Sequence, residues 1–190
     1  WRIGKNIIFD LSGDQKILIH QKMTGHILIG KWQLKNKKWI AVERGLLSEK
    51  VNGYIHTIFW LKGRQPSFAP QSGASKGIMM ALSDLRKFAK ILLFDDKDLK
   101  NLEDIKSIGP DPLKTGFTFK QFESLIRKNR GPIKKVLLYQ DVVSGIGNIY
   151  ADEILFAVKI HPLRRVESLS DGELKLIFNA SKNILKKAIK

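Results

Sequence analysis

The chain contains no cysteine. A disulfide framework and a thiolate zinc site are therefore excluded within its 190 residues. No apolar run approaches the ~20 residues of a membrane-spanning helix. No stretch resembles a signal peptide, so the cytoplasm is the expected compartment and no membrane partner is expected. Acidic residues are scarce as well: 18 Asp and Glu stand against 34 Lys and Arg, a formal charge of +16 that both halves share. Charge of that size and sign points to a polyanion as partner, and nucleic acid fits. Apolar residues are plentiful at 43%, enough for one larger core or two small ones. The first residue is Trp1 rather than Met, and Lys190 falls inside a helical pattern without a stop signal. Both ends are expected to be cut from a longer protein.

From Gly4 to about Phe94 the apolar residues come in short runs or alternate, as in KNIIFDL, KILIHQ, HILIG, YIHTIFWL, GIMMAL and KFAKILLF. Such runs, rich in Ile and Phe and separated by Gly, Asn, Asp and Ser, read as strands. The segment from Lys62 to Gly77, KGRQPSFAPQSGASKG, is rich in Pro, Gly and Ser and reads as a mobile loop. After Phe94 the period changes. Thr118 is followed three residues later by Gln121, a capping-box pattern, and Phe119, Phe122, Leu125 and Ile126 then share one helical face. Ser170 and Glu173 repeat the box before a stripe of Leu174, Ile177, Phe178, Ser181, Ile184, Leu185 and Ala188. The expected class is α+β: an antiparallel, sandwich-like β unit over residues 1–94, a turn-rich joint over 95–112 around SIGPDPL, and a helical domain over 113–190.

The stretch DVVSGIGNIYADEILF carries the functional question. Gly145 and Gly147 precede a helical run that starts near Asn148. A helix N-terminus exposes unpaired N–H groups and the positive end of a dipole, so an anion can sit there if the backbone approaches closely. Asn148 can cap that helix or turn its amide toward a phosphate oxygen. The plainer alternative is a tight turn in which glycine supplies a positive φ. A dinucleotide fingerprint fails because its third glycine falls at Tyr150, and a nucleotide P-loop fails for want of Gly-Lys-Ser/Thr.

The longer stretch GIGNIYADEILFAVKIHPLRR, Gly145 to Arg165, resembles the helix-two-turn-helix of the formamidopyrimidine-DNA glycosylase and endonuclease VIII family. Upstream segments agree in the same order. GKNIIFDL resembles the family's Lys-bearing strand, LIHQKMTGHI its His-x-x-Met-Ser/Thr-Gly loop, DLRKFAK its Asp-Pro-Arg-Arg-Phe-Gly turn, and IGPDPL its domain joint. A related motif in a small-subunit ribosomal protein also shows Gly-Ile-Gly, but Arg usually follows it there and no Met loop precedes it. The resemblance implies base-excision repair of oxidised purines in duplex DNA by a bifunctional glycosylase and AP lyase, acting as a monomer at the nucleoid. A non-catalytic DNA- or RNA-binding module is the competing class.

By the same resemblance, Met23, Arg86 and Phe88 fill the gap left by a flipped base. Lys5, His20 and Asn148, with the Gly145–Gly147 turn, grip phosphates, and Lys134 is a further lysine near the site. Read without the resemblance, Met23 and Phe88 are strand core, Lys5, Arg86 and Lys134 surface charges, and His20 a satisfied strand histidine. Arg86 and Phe88 are expected on one side of a strand-like segment. The chain departs from the family pattern at Gln21-Lys22, where many members have Leu-Gly, and at Leu85 for Pro, Lys87 for Arg and Ala89 for Gly. The family's nucleophile, an N-terminal Pro followed by Glu, and its C-terminal Cys₄ zinc finger are not in these residues. No catalytic residue, metal ligand or cofactor is therefore expected within them, zinc belongs to a further segment, and residues 1–190 are expected to be a central, inactive fragment.

Overall fold

A computed structural model describes residues 1–61 and 77–189. The mobile loop expected from Lys62 onward lies outside the described residues, apart from Gly77. The chain divides into two compact units, one of residues 1–16 with 94–190 and one of residues 17–93.

The 17–93 unit is built on a three-stranded antiparallel sheet of β4 (Gly25–Gly30), β8 (Ile78–Asp84) and β7 (Ile55–Leu61), with β8 in the middle. Its central position is written in its composition, since Met79 to Asp84 are all buried. The register pairs Gly25 with Asp84 and Gly30 with Met79. The loop entering β4 and the turn leaving β8 therefore emerge at the same end of the sheet. A hairpin of β5 (Trp32–Lys35) and β6 (Lys38–Ala41) follows β4. Its two turn residues, Asn36 and Lys37, have φ of 49° and 61°, the left-handed pair of a type I′ turn. Trp32, Met79 and Ala81 form the core here, with Leu28, Trp39, Leu47, Ile55 and Ile58 packed on it.

In the other unit β1 (Arg2–Ile3) and β2 (Asn6–Asp10) make a tight hairpin with Ile3 paired to Asn6, leaving Gly4 and Lys5 as the connection. The start of β3 (Gln15–His20) and the end of β9 (Lys90–Asp95) extend this sheet in the order β1-β2-β3-β9. Beyond a single-turn helix, α1 (Glu103–Lys106), four helices form the rest: α2 (Phe119–Arg127), α3 (Ile133–Leu138), α4 (Asn148–Ala157) and α5 (Asp171–Ala188). Both capping boxes are present. Thr118 accepts from the Gln121 N–H and Ser170 from the Glu173 N–H, and each partner side chain reaches back to the cap residue's N–H. These bonds satisfy orphan donors at both helix starts and fix where α2 and α5 begin.

Amphipathic stripes then decide the packing. Leu174, Ile177, Phe178, Ser181 and Leu185 of α5 are buried against Phe122 and Ile126 of α2 and Ala151, Ile154 and Leu155 of α4. Phe178 sits among three rings, with centroids 5.4 Å from Phe122, 5.9 Å from Phe117 and 6.0 Å from Phe119. The joint is tied to the α3–α4 link by Gly109 N–H to the Gln140 carbonyl and Ser144 N–H to the Pro110 carbonyl, at 2.8 and 3.0 Å. The architecture is α+β, with antiparallel strands preceding the helices. Since three rings lose a partner together, Phe178→Ala should lower stability by about 3–5 kcal/mol. Denaturant unfolding monitored by helical circular dichroism checks this value.

Candidate nucleic-acid interface

In the helical unit one side chain shapes the link between α3 and α4. Gln140 donates from Nε2 to the carbonyls of Leu138 and Ile146, each at 2.9 Å, and its Oε1 accepts the Gly145 N–H at 3.0 Å. Ile146 is fully buried and anchors the middle of the turn. Gly145 has φ 89°, the left-handed region that an L-residue enters only at a cost. The expected tight glycine turn is therefore present. It leads directly into the exposed donors of a helix.

Gly147 occupies the cap position of α4 in an extended conformation and supplies no side-chain cap. The capping alternative for Asn148 is corrected, because that residue is already the first of the helix and its backbone has turned inward. Its side chain is exposed and forms no hydrogen bond among the described residues. The first N–H groups of α4 thus have neither helical nor side-chain partners, and they carry the positive end of the helix dipole. A Cβ built on Gly147 would lie 3.5 Å from Lys5 Nζ, which places an ammonium beside these donors. Lys5 as a residue is exposed, but its packed end is desolvated, and burial lowers its pKa from the ordinary lysine value.

Arg2 holds this hairpin in place. Its Nη1 lies 2.7 Å from Asp111 Oδ2 and donates to the Gly4 carbonyl at 3.0 Å, one residue before Lys5. No local pattern marks Arg2, whose acidic partner lies in the joint far along the chain. Gln140 was missed for a similar reason: a glutamine in a turn carries no motif. Lys134, by contrast, is placed on α3 and paired with Asp152 of α4 at 2.8 Å, so a carboxylate already neutralises its charge.

In the 17–93 unit Met23, Arg86 and Phe88 come together. The Arg86 guanidinium stands over the Phe88 ring at 4.8 Å from its centroid, and Arg86 Nη1 approaches Met23 Sδ at 3.5 Å. Met23 is 73% exposed and Phe88 53%, so neither is strand core. Arg86 and Phe88 do not lie on a strand as expected. β8 ends at Asp84 and β9 starts at Lys90, and the intervening residues form a turn whose Lys87 has φ 58°. The Met23 loop is equally tight. Lys22 has φ 56°, and a Cβ on Gly25 would fall 2.5 Å from the Gln21 carbonyl oxygen, so only glycine closes it. Many family members carry Gly at the Lys22 position, and the left-handed backbone there is the physical reason.

His20, at the end of β3, accepts the Lys22 N–H at Nδ1 over 2.9 Å. An accepting Nδ1 requires the proton of the neutral ring to sit on Nε2. His20 is thus a hydrogen-bond donor without needing a positive charge. Asp84, which no sequence pattern singled out beyond its place in the turn, is buried to 1% exposure beneath Arg86 and Phe88.

A family model described as the formamidopyrimidine-DNA glycosylase H2TH domain matches residues 108–190. Formamidopyrimidine-DNA glycosylase of Listeria innocua is 34% identical over 188 residues, which cover 99% of this chain and 58% of the relative. The chain thus spans somewhat more than half the length of the curated relatives it matches. Among solved structures, Lactococcus lactis formamidopyrimidine DNA glycosylase, non-covalently bound to DNA containing an AP site, superposes with a TM-score of 0.74 at 28% identity. That likeness covers 100% of this chain and 62% of the other. MutM in complex with DNA containing carbocyclic 8-oxo-G gives 0.73 at 29% identity, covering 100% and 60%. The sequence order of the motifs, the helical match and the structural likeness agree: residues 108–190 match the H2TH domain of formamidopyrimidine-DNA glycosylases, and the chain as a whole is similar to members of that family.

Proposed function

We propose that the chain is part of a bifunctional DNA glycosylase and AP lyase of base-excision repair. Residues 1–190 supply the phosphate grip and the gap-filling wedge for oxidised purines in duplex DNA. The observation that carries this reading is the exposed contact of Met23, Arg86 and Phe88 on two tight loops. Exposed large apolar side chains clustered with an arginine are poor surface unless they meet a partner. Rotating a base out of the stack costs a few kcal/mol, and a flexible thioether, a phenyl ring and a guanidinium fork suit the vacated space. Arg86 can hydrogen-bond the edge of the orphaned base while Phe88 wedges the step.

The grip comes from the start of α4. Its free N–H groups, the Asn148 amide and the Lys5 ammonium present donors to phosphate oxygens, and the glycines let the backbone come close. His20, in the 17–93 unit, is assigned to phosphate contact by the family resemblance, and Lys134 adds charge on α3 when it leaves Asp152. The relatives solved with AP-site and 8-oxo-G DNA support duplex DNA as the ligand. The protein acts as a monomer in the cytoplasm, at the nucleoid. Among the described residues no helix is long and apolar enough to cross a membrane. No group of three or more His, Cys, Asp and Glu converges among the described residues either, so they do not fit the zinc that the family implies. We assign zinc to a zinc-finger segment outside residues 1–190.

Binding to duplex DNA should weaken steeply with salt, with a log–log slope of about −0.9 per neutralised phosphate. A salt-independent affinity overturns the phosphate grip. Asn148→Ala should weaken binding to all sequences alike by about 1.5–3 kcal/mol, the range for a hydrogen bond to a charged group. Its thermal unfolding should be unchanged, because Asn148 does not cap α4. Met23→Ala should shift stability by no more than about 0.5 kcal/mol, since the side chain is exposed. The same variant should impair extrusion of a fluorescent base analogue beside an abasic-site analogue. The solvated lysines, with an ordinary pKa near ~10.4, are poor nucleophiles at neutral pH, and Lys5, whose pKa burial lowers, is the first lysine to test. Residues 1–190 are therefore expected to give no borohydride-trapped adduct with DNA containing oxidised guanine. Efficient trapping that Lys5→Arg abolishes would make Lys5 the nucleophile and replace the grip assigned to it.

A further inference from the structure

We propose that Asp84 is a positioning residue for base extrusion: its carboxylate fastens the Arg86–Phe88 turn to the Met23 loop, so that the three side chains enter the duplex as one wedge. The proposal rests on the gap-filling reading of those three residues. It assigns the coupling between their loops to a group that touches neither DNA nor the flipped base.

The geometry is specific. Asp84 Oδ1 accepts the Thr24 hydroxyl and, at 3.2 Å, the Arg86 N–H, while Oδ2 accepts the Ala89 N–H at 2.7 Å. Thr24 Oγ1 lies 3.4 Å from the same Arg86 nitrogen, closing a small ring of polar contacts. Thr24 directly follows Met23 in the chain. One carboxylate therefore gathers donors from two loops about sixty residues apart in sequence and adjacent to all three wedge residues. Its own backbone is held by β7 and the residue before it: the Asp84 N–H donates to the Tyr54 carbonyl at 2.9 Å, and the Asp84 carbonyl meets His56 Nε2 at 2.7 Å.

A carboxylate 1% exposed is costly unless its oxygens are satisfied. Burial alone would raise its pKa. The bonds from Thr24 and from the backbone of Ala89, Arg86 and Phe88 outweigh that effect and hold it below the ordinary aspartate value. Asp84 is thus an ionised, acceptor-only group at neutral pH, the form that can receive all of these donors. The two loops also hold Lys22 and Lys87 at positive φ. Conformations of that kind persist only where the surroundings over-determine them, and the Asp84 bonds to Thr24, Arg86 and Ala89 flank both positions.

The test uses the full-length protein, with 2-aminopurine beside an abasic-site analogue to follow extrusion and undamaged duplex to follow the phosphate grip. Asp84→Asn keeps the shape but replaces one acceptor oxygen with a donor amide. Thr24→Val removes the bridging hydroxyl, and Thr24→Ser restores it. Asp84→Asn and Thr24→Val should each slow extrusion by about tenfold or more, the scale of one charge-assisted hydrogen bond. Their affinity for undamaged duplex should stay within about twofold of wild type, because the grip lies on other residues. Thr24→Ser should extrude as wild type does. If Asp84→Asn fails to fold, the Thr24 pair decides alone. Equal extrusion by Thr24→Val and Thr24→Ser, or by folded Asp84→Asn and wild type, overturns the proposal. A wild-type protein that leaves the analogue stacked overturns the gap-filling reading and this inference with it.

Discussion

Backbone N–H and C=O groups stranded in a turn must find partners, and in each unit of this protein one polar side chain provides them. Gln140 spans the link into α4, taking one N–H and serving two carbonyls. Asp84 does the converse at the end of β8, accepting two backbone N–H groups and the Thr24 hydroxyl and donating nothing, as a carboxylate must. The difference follows from what each turn leaves over. A helix ending before Gln140 strands carbonyls, whereas the turn after Asp84 points its amides inward. In both places the residues expected to touch DNA sit on the outer side of a turn that this side chain bonds from within. Rigid support from within is what lets short loops present side chains precisely.

The charge is divided by residue type. Four arginines are committed within the fold: Arg2 to Asp111, Arg127 to Glu123 and Asp171, Arg164 to Glu173 at 2.9 Å, Arg165 to Glu167. Their planar forks suit fixed bidentate contacts, and here they stabilise helix junctions and the joint. The basic surface left for a polyanion is mainly lysine. Lysine is a mobile, strongly hydrated point charge, so it attracts phosphates without specifying a sequence. Arg86 is different because its guanidinium is stacked on Phe88 at the wedge.

Local patterns were legible wherever a local rule governs. Thr118 with Gln121 and Ser170 with Glu173 mark helix starts because a capping box is a contact between near neighbours. The Ile- and Phe-rich runs of β2, β3, β4, β7 and β8 were read as strands for the same reason. The β5–β6 hairpin escaped because its type I′ turn uses Asn36-Lys37, with a lysine where glycine is the usual signal. The Arg86–Phe88 turn reads as strand-like because Phe88 opens the apolar run KFAKILLF, and Asp84, which bonds to the turn, also takes a partner, Thr24, that only the fold brings near. The grouping of residues 1–16 with the helices depends on contacts such as Arg2 with Asp111 and Asn6 with the Asp104 carbonyl. Periodicity does not encode contacts of that range. Motif order, by contrast, placed Met23, Arg86, Phe88, Lys5 and Asn148 in their groups before any distance was known.

The contacts among Met23, Arg86 and Phe88 are made within the protein itself. A wedge assembled in this way gives up little side-chain freedom when it meets a base pair, whereas a disordered one would have to be ordered at every encounter. Under the proposed function, in which lysine and phosphate hold the protein on DNA, this changes the tempo of the search. The time spent at each step is then governed by how readily that step of the duplex unstacks. On that reading weakly stacked or damaged positions are sampled deeply and intact ones passed over, so the contact between two short loops becomes a kinetic filter for lesions.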